Sequence, residues 1–275
     1  MRKSLITTAV LGALAAPSFV FAADAAPAPD YTLAYNVGIY SQYIFRGLTQ
    51  TNHDAALQGG VDFTHSSGFY LGAWGSNISW LTDGQTGTLE SKYYKSGGSA
   101  EIDLYGGYRY AFGDTGVGID VGALTYYYPG HRNNGVTGIA AANTTEVYGA
   151  LNWNWVQGKV SVVATDAAWG SGNERGTYYA ELNVTPPISD LLGVKDGLAS
   201  GISGIVHVAR QEFKNDVSGT DPSYTDYKVG AQKAFANGVN VGGYWSYANG
   251  KDANWTLDGK NIGESTGTVF VQKTF

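Results

Sequence analysis

The chain has 275 residues, is rich in Tyr (20) and Gly (39), has no Cys, and is only 15% charged. Its net charge of -6 argues against nucleic acid as a partner, because phosphate binding needs clustered Lys and Arg. Without Cys, disulfides and thiolate metal sites are excluded. Abundant Tyr and Gly with few charges suits an all-β protein that has both wet and apolar surfaces.

The chain opens with Arg2 and Lys3, then an apolar or small-residue run from Leu5 to Phe21 and a small-residue site at Val20-Phe21-Ala22. This is the pattern of a secretory signal peptide. Residues 1–22 are the expected leader, with cleavage after Ala25 as the alternative. The run is short for a spanning helix and leads into an Ala/Pro linker over 23–30, not into basic flanks. Removing it leaves 15 basic against 23 acidic residues. No later stretch approaches the roughly 18 apolar residues of a transmembrane helix. Residues 31–275 read as one domain.

From Tyr31 onward the pattern has period two. In 31–47, Tyr31, Leu33, Tyr35, Val37 and Ile39 share one parity and Asn36, Gly38, Tyr40 and Arg46 the other. Successive side chains on a strand point to opposite faces, so one face is apolar and one polar. The same alternation runs through Leu57–Thr64, Phe69–Ser76, Ala100–Phe112, Val117–Tyr128, Thr144–Trp155, Val160–Trp169 and Thr177–Val184. It resumes in Leu198–Arg210, Tyr224–Ala234, Val239–Tyr247 and Thr266–Phe275. That is about twelve strands, each near the roughly 9–11 residues that cross a bilayer when tilted.

Short turns are expected near 67, 114, 157 and 237, and long polar loops at 78–98, 129–143, 211–223 and 248–264. Short turns at one rim and long loops at the other describe an antiparallel transmembrane β-barrel, with periplasmic turns and extracellular loops. An even count puts both termini at the periplasmic rim. Segment 186–197, starting Pro186-Pro187, is a longer periplasmic connection.

Charges fall in mid-strand on the polar parity, as a water-filled or charge-lined lumen requires. Asp62, Glu101, Asp103, Arg109 and Asp120 come first; Glu146, Glu181, Asp226 and Lys228 follow. Aromatics near strand ends on the apolar parity form the expected interfacial girdles: Tyr31, Tyr43, Phe45, Phe69, Tyr110, Tyr127, Trp155, Tyr247 and Phe275. Val269, Val271 and Phe275 share a parity that ends on a terminal aromatic. This resembles the C-terminal signal of outer-membrane barrels. It implies export to the outer membrane, contact with its lipid, and handling by periplasmic chaperones and the barrel assembly machinery. Lys273 interrupts the apolar parity, and its stem is expected to lie along the wall with the ammonium in water.

Several blocks resemble the TorF porin family. The most specific is Ser41-Gln42-Tyr43-Ile44-Phe45-Arg46-Gly47 with Gln50; Thr49 stands where the family pattern has Ser. Further matches are Gln58-Gly59-Gly60-Val61-Asp62, Ser67-Gly68-Phe69-Tyr70-Leu71-Gly72-Ala73-Trp74, Ser76-Asn77, Tyr127-Tyr128-Pro129-Gly130 and Glu146-Val147-Tyr148. Asp226-Tyr227-Lys228-Val229-Gly230 and the ending Lys273-Thr274-Phe275 complete the resemblance, which covers essentially all of the mature chain.

Arg46 is the sharpest candidate for function. On the polar parity at the outer end of the first strand, it is either a solute-contacting cation or the partner of a lumen carboxylate such as Glu101 or Asp103. Structural pairing is favoured, since buried charges are normally paired. Seven carboxylates against Arg46, Arg109 and Lys228 predict a mildly cation-selective lumen. His53, His65 and His131 fall in loops or turns; His207 is mid-strand on the inward parity, but no nucleophile motif accompanies it. No paired His spacing suggests a metal, and 113–118 reads as a turn, not a phosphate loop. No cofactor is expected. The expectation is passive diffusion of small hydrophilic solutes without a chemical step. The alternative is a closed barrel with a structural, adhesive or receptor role through its loops. Twelve strands lie between eight, which side chains fill, and sixteen, which leave a channel. The sequence sets no oligomeric state.

Overall fold

A computed structural model describes residues 30–83, 94–133, 140–216, 219–257 and 259–275. The expected leader (1–22) and all of the linker but Asp30 lie outside the described residues.

Twelve antiparallel strands close into a barrel. They are β1 (Tyr31–Tyr40), β2 (Ala56–His65), β3 (Phe69–Asn77), β4 (Ala100–Ala111), β5 (Val117–Tyr127) and β6 (Thr144–Trp153). Then come β7 (Val156–Val163), β8 (Tyr178–Val184), β9 (Ile202–Glu212), β10 (Tyr224–Ala234), β11 (Val239–Ala248) and β12 (Thr266–Thr274). Each strand pairs with its sequence neighbours, and β12 returns to β1 with Ile39 opposite Val271. Closure removes the unpaired edges that an open sheet would expose.

Parity sets inside and outside as expected. Ile39, Leu71, Leu151 and Val269 are well exposed on the outer face, while Gln58, Glu101, Glu146, Asp226 and Thr268 are buried inside. An apolar exterior over a polar interior is stable in lipid and not in water. Several inward aromatics lie on cross-strand glycines. A Cβ on Gly72 would fall 2.3 Å from the ring of its partner Tyr105, and one on Gly242 would fall 2.6 Å from Phe270. Glycine there leaves room for a ring to lie flat on the wall.

Several boundaries differ from the sequence reading. The first strand leaves the wall after Tyr40, so 41–47 is not its continuation. The β6–β7 turn is Asn154-Trp155, with Asn152 opposite Gln157, so Gln157 and Gly158 are in a strand. Asn154 takes φ 51°, a left-handed conformation that Asn tolerates and a two-residue hairpin needs. Strand β7 ends at Val163 and β9 spans Ile202–Glu212, both displaced from the expected limits. The girdle also loses two members: Tyr43 is buried and Phe45 half-buried inside the barrel. Lys273 lies 5.3 Å from the centre of the Phe275 ring and donates to the Asn237 carbonyl at the rim.

At the loop rim, Tyr94–Gly97 pairs with Gly130–Arg132. Leu48, Tyr224 and Ala248 pack with Phe213 and Trp255. At the turn rim, the β8–β9 connection holds one helical turn, α1 (Ile188–Leu191).

Candidate functional site: an in-folded hairpin across the lumen

The site begins where β1 leaves the wall. Residues 41–55 fold into the barrel, and Ile44–Phe45 pairs with Leu48–Thr49 as a small hairpin. Its two turn residues, Arg46 and Gly47, have φ of 47° and 80°, the double left-handed geometry of a type I′ turn. Glycine is required at the second position. A Cβ on Gly47 would sit 2.5 Å from Cβ of Asp226 on β10 and 2.9 Å from that of Ala248 on β11. The hairpin is tied at its base: Gln50 N donates to Tyr43 O (2.7 Å), and Tyr43 N to Thr51 Oγ1 (3.1 Å). Gln42 Nε2 donates to Thr266 Oγ1 on β12 (2.8 Å), and Ser79 N to Gln50 O (2.8 Å). Tyr43 and Ile44 are buried with Leu81, Leu124 and Tyr126 in an apolar cluster inside the loop-side half of the barrel, and Leu48 is buried against Tyr224 and Ala248.

Arg46 reaches the far wall. Its Nη2 donates to Glu146 Oε2 on β6 (2.7 Å) and its Nη1 to Gln211 Oε1 on β9 (2.8 Å). Tyr126 Oη donates to the same Glu146 oxygen (3.1 Å). The guanidinium lies 4.2 Å from the Tyr179 ring centre, 5.0 Å from Phe45 and 5.2 Å from Trp169. Its partner is therefore Glu146, not Glu101 or Asp103. The difference follows from the fold: Arg46 stands in the hairpin turn, which reaches β6 and β9, whereas Tyr43 nearer the base reaches β4. Glu101 instead accepts from Tyr43 Oη (2.6 Å). Burial and the neighbouring Glu101 carboxylate hold the Tyr43 phenol well above its ordinary pKa, so it stays a donor. Asp103 is buried beside this cluster, and its Oδ1 accepts no hydrogen bond from the described residues.

The other predicted side chains line the wall below or beside the hairpin. Asp62 accepts from Tyr105 Oη (2.6 Å). Asp120 accepts from Tyr70 Oη (2.6 Å) and from Arg109 Nε (2.8 Å), with Arg109 stacked 3.7 Å from the Tyr70 ring centre. Glu181 accepts from Asn183 and lies 3.9 Å from Lys159. Asp226 accepts from Tyr179 Oη (2.9 Å) and lies 3.0 Å from His207 Nε2. Lys228 lies 4.6 Å from the Tyr244 ring centre. The other ring nitrogen of His207 meets Asn183 Oδ1 at 2.6 Å, so this histidine is held between Asn183, Tyr179 and Asp226.

Lys159 is a further lumen cation, 3.9 Å from Glu181. A turn placed at Gln157-Gly158 put it at the rim; Asn154 as the left-handed residue is the signal that moves it inward. Tyr70, Tyr105, Tyr126 and Tyr179 are further lumen residues, each donating to a carboxylate. They share the inward parity with the acids, which is the signal that finds them.

A closed antiparallel ring with an apolar exterior and a charged, hydrogen-bonded interior is a porin-like membrane β-barrel. Short turns at one rim and long loops at the other agree with that class. Within it, the chain belongs to the family described as "Bacterial protein of unknown function (Gcw_chp)", whose model matches residues 24–275. Among solved structures it is similar to the KdgM porin, at 9% identity over 88% of this chain and 98% of that one, with TM-score 0.46. It is also similar to the NanC porin, at 10% identity over 89% and 99%, TM-score 0.46. A third likeness is to the outer membrane protein opdK from Pseudomonas aeruginosa, at 12% identity over 91% and 68%, TM-score 0.43. No curated protein matches the chain.

Proposed function

We propose that this protein is an outer-membrane channel for passive diffusion of small hydrophilic solutes, narrowed by the in-folded hairpin and mildly cation-selective. The observation that carries the reading is the hairpin, which brings Arg46 across a charge-lined lumen to Glu146. An inward loop that divides a polar lumen sets a size limit there. Seven inward carboxylates against Arg46, Arg109, Lys159 and Lys228 leave an acidic excess, and acidic side chains lower the energy of a cation in a pore. The mechanism is exclusion by size and steering by charge, with no chemical step. The resemblance to the TorF porins supports the same reading. The outward Val269, Val271 and Phe275 on the closing strand support recognition by the assembly machinery, and the leader-like 1–22 supports export.

The burial of the hairpin itself favours a second reading, a permanently closed barrel that acts through its loops. Recording in planar bilayers separates the two. Discrete conductance steps with a cation-directed reversal potential in a salt gradient are expected. Failure to conduct in the native protein and after hairpin removal would favour the closed barrel, and anion preference would sink the charge argument.

A further inference from the structure

The β8–β9 connection, 185–201, folds outward onto the lipid-facing wall. Gly204 of β9 lies on the outward parity, opposite to buried His207. A Cβ on it would come within 2.9 Å of Pro186 Cγ and 3.5 Å of Ile188 Cδ1. Lys233, on the outward parity of β10, donates to the carbonyls of Leu198 (2.6 Å) and Ser200 (2.7 Å). Ser189 Oγ joins the two arms of the segment, donating to Ala199 O (2.6 Å) and accepting from Ile202 N (2.8 Å). This backbone is held in place, yet it presents bare leucines: Leu191 is 63% exposed, Leu192 73% and Leu198 91%.

Ile188, Leu191 and Leu192 fall at i, i+3 and i+4, on one side of the single turn of α1. Ile188 touches the wall, so the leucines extend the wall's apolar surface sideways. The segment also abuts the turn that carries exposed Trp155, through Thr185 N to Trp155 O (2.9 Å). Asp190, Lys195 and Asp196 of the same segment are exposed and supply a polar side.

We propose that 186–198 is an interfacial foot that lies in the periplasmic leaflet, with Leu191, Leu192 and Leu198 among the phospholipid acyl chains near the headgroups. Its continuity with the lipid-facing wall selects lipid as the occupant. The proposal rests on the barrel being embedded in a membrane and not on its conducting. An apolar side on the acyl chains with charges toward water is the arrangement of interfacial helices.

The chain has no Cys, so single-cysteine variants of the full-length protein label cleanly. Leu192→Cys and Leu198→Cys would carry a small environment-sensitive fluorophore in phosphatidylcholine vesicles. Val147→Cys on the outer wall and Asp114→Cys in the β4–β5 turn serve as references. Shallow spin-labelled phosphatidylcholine is expected to quench positions 192 and 198 severalfold more than 114, and iodide present on both sides to do the reverse. Iodide quenching at 192 and 198 equal to that at 114, with 147 still quenched by lipid, would overturn the foot. So would loss of lipid quenching with cross-linking into pairs, which would assign the surface to a second copy. A label at 147 that lipid fails to quench would overturn the membrane reading and the foot together.

Discussion

Arg46→Ala is the most informative single change. It removes the guanidinium from Glu146, Gln211 and three aromatic rings. The two side chains of the pair are 6% and 1% exposed, so water does little to replace the lost partner. Breaking a buried pair by removing one member costs about 3–5 kcal/mol, because the other charge stays buried and uncompensated. Against that loss, the hairpin keeps Ile44 and Leu48, whose burial is worth about 1.5–3 kcal/mol each. It also keeps the Tyr43–Glu101 bond, worth about 1.5–3 kcal/mol as a hydrogen bond to a charged group. The hairpin therefore remains mainly folded inward, but its in-to-out equilibrium moves outward by about 2 to 3.5 powers of ten. Single-channel recording is the assay. Arg46→Ala is expected to add frequent excursions to a higher conductance that are rare in the native protein. Pairing Arg46→Met with Glu146→Gln removes both charges and is expected to reverse most of the effect. Conductance traces indistinguishable among native, single and double variants would refute the reasoning, because the hairpin would then not control the passage.

Other expectations test the wall and the closing seam. Gly72→Val would drive a side chain into the Tyr105 ring and should cost about 1–3 kcal/mol as overpacking, read as an earlier midpoint in urea unfolding from vesicles; an unchanged midpoint would remove the ring-on-glycine argument. Val147→Arg puts a charge on the outer face of β6, and about 2–4 kcal/mol is lost if it lies at the bilayer midplane; equal stability of the two proteins in lipid would contradict the assignment of that face. Deleting Phe275 also removes its backbone bond with Tyr35 (N to O 2.8 Å). Folded barrel in cells should fall severalfold while refolding in detergent is largely retained, and an equal loss in both would make the residue structural alone. Glu181→Gln removes one of the carboxylates facing Lys159 and should shift the reversal potential toward anions; a shift toward cations would contradict the acidic-lumen argument.

The wall was legible in the sequence because the bilayer imposes a simple rule. Every spanning residue faces either lipid or lumen, so Val147 and Glu146 declare opposite faces by chemistry alone. The inward placement of Asp62, Asp103 and Asp226 follows from that rule without knowing any contact. The hairpin was not legible for the same reason. Period-two alternation continues from Tyr40 through Arg46, and a strand that stays in the wall has the same signature as one that peels inward to pair with itself. The signal that was present is Arg46-Gly47, a weaker I′ turn pair than Asn-Gly, and Arg is seldom asked to take positive φ. The Ser41–Gly47 block contains the hairpin turn, but nothing in it names the partners on the far wall. Glu146 lies 100 residues away from Arg46, and only closure of the ring brings them together. The turn at Asn154-Trp155 was misplaced because the nearby Gly158 is the more familiar breaker; that shift of a few residues hid Lys159.

The hairpin has a mechanical consequence as well as a steric one. A ring of twelve strands resists stretching along its strands far better than it resists flattening, since an oval and a circle keep the same hydrogen bonds between neighbours. A chain segment rooted between β1 and β2, with its tip held on β6 and β9, spans the ring as a brace. Flattening in that direction would have to compress the hairpin, and widening would have to part Arg46 from Glu146. A change in the shape of the ring would thus load the Arg46–Glu146 pair and the Arg46–Gln211 bond directly.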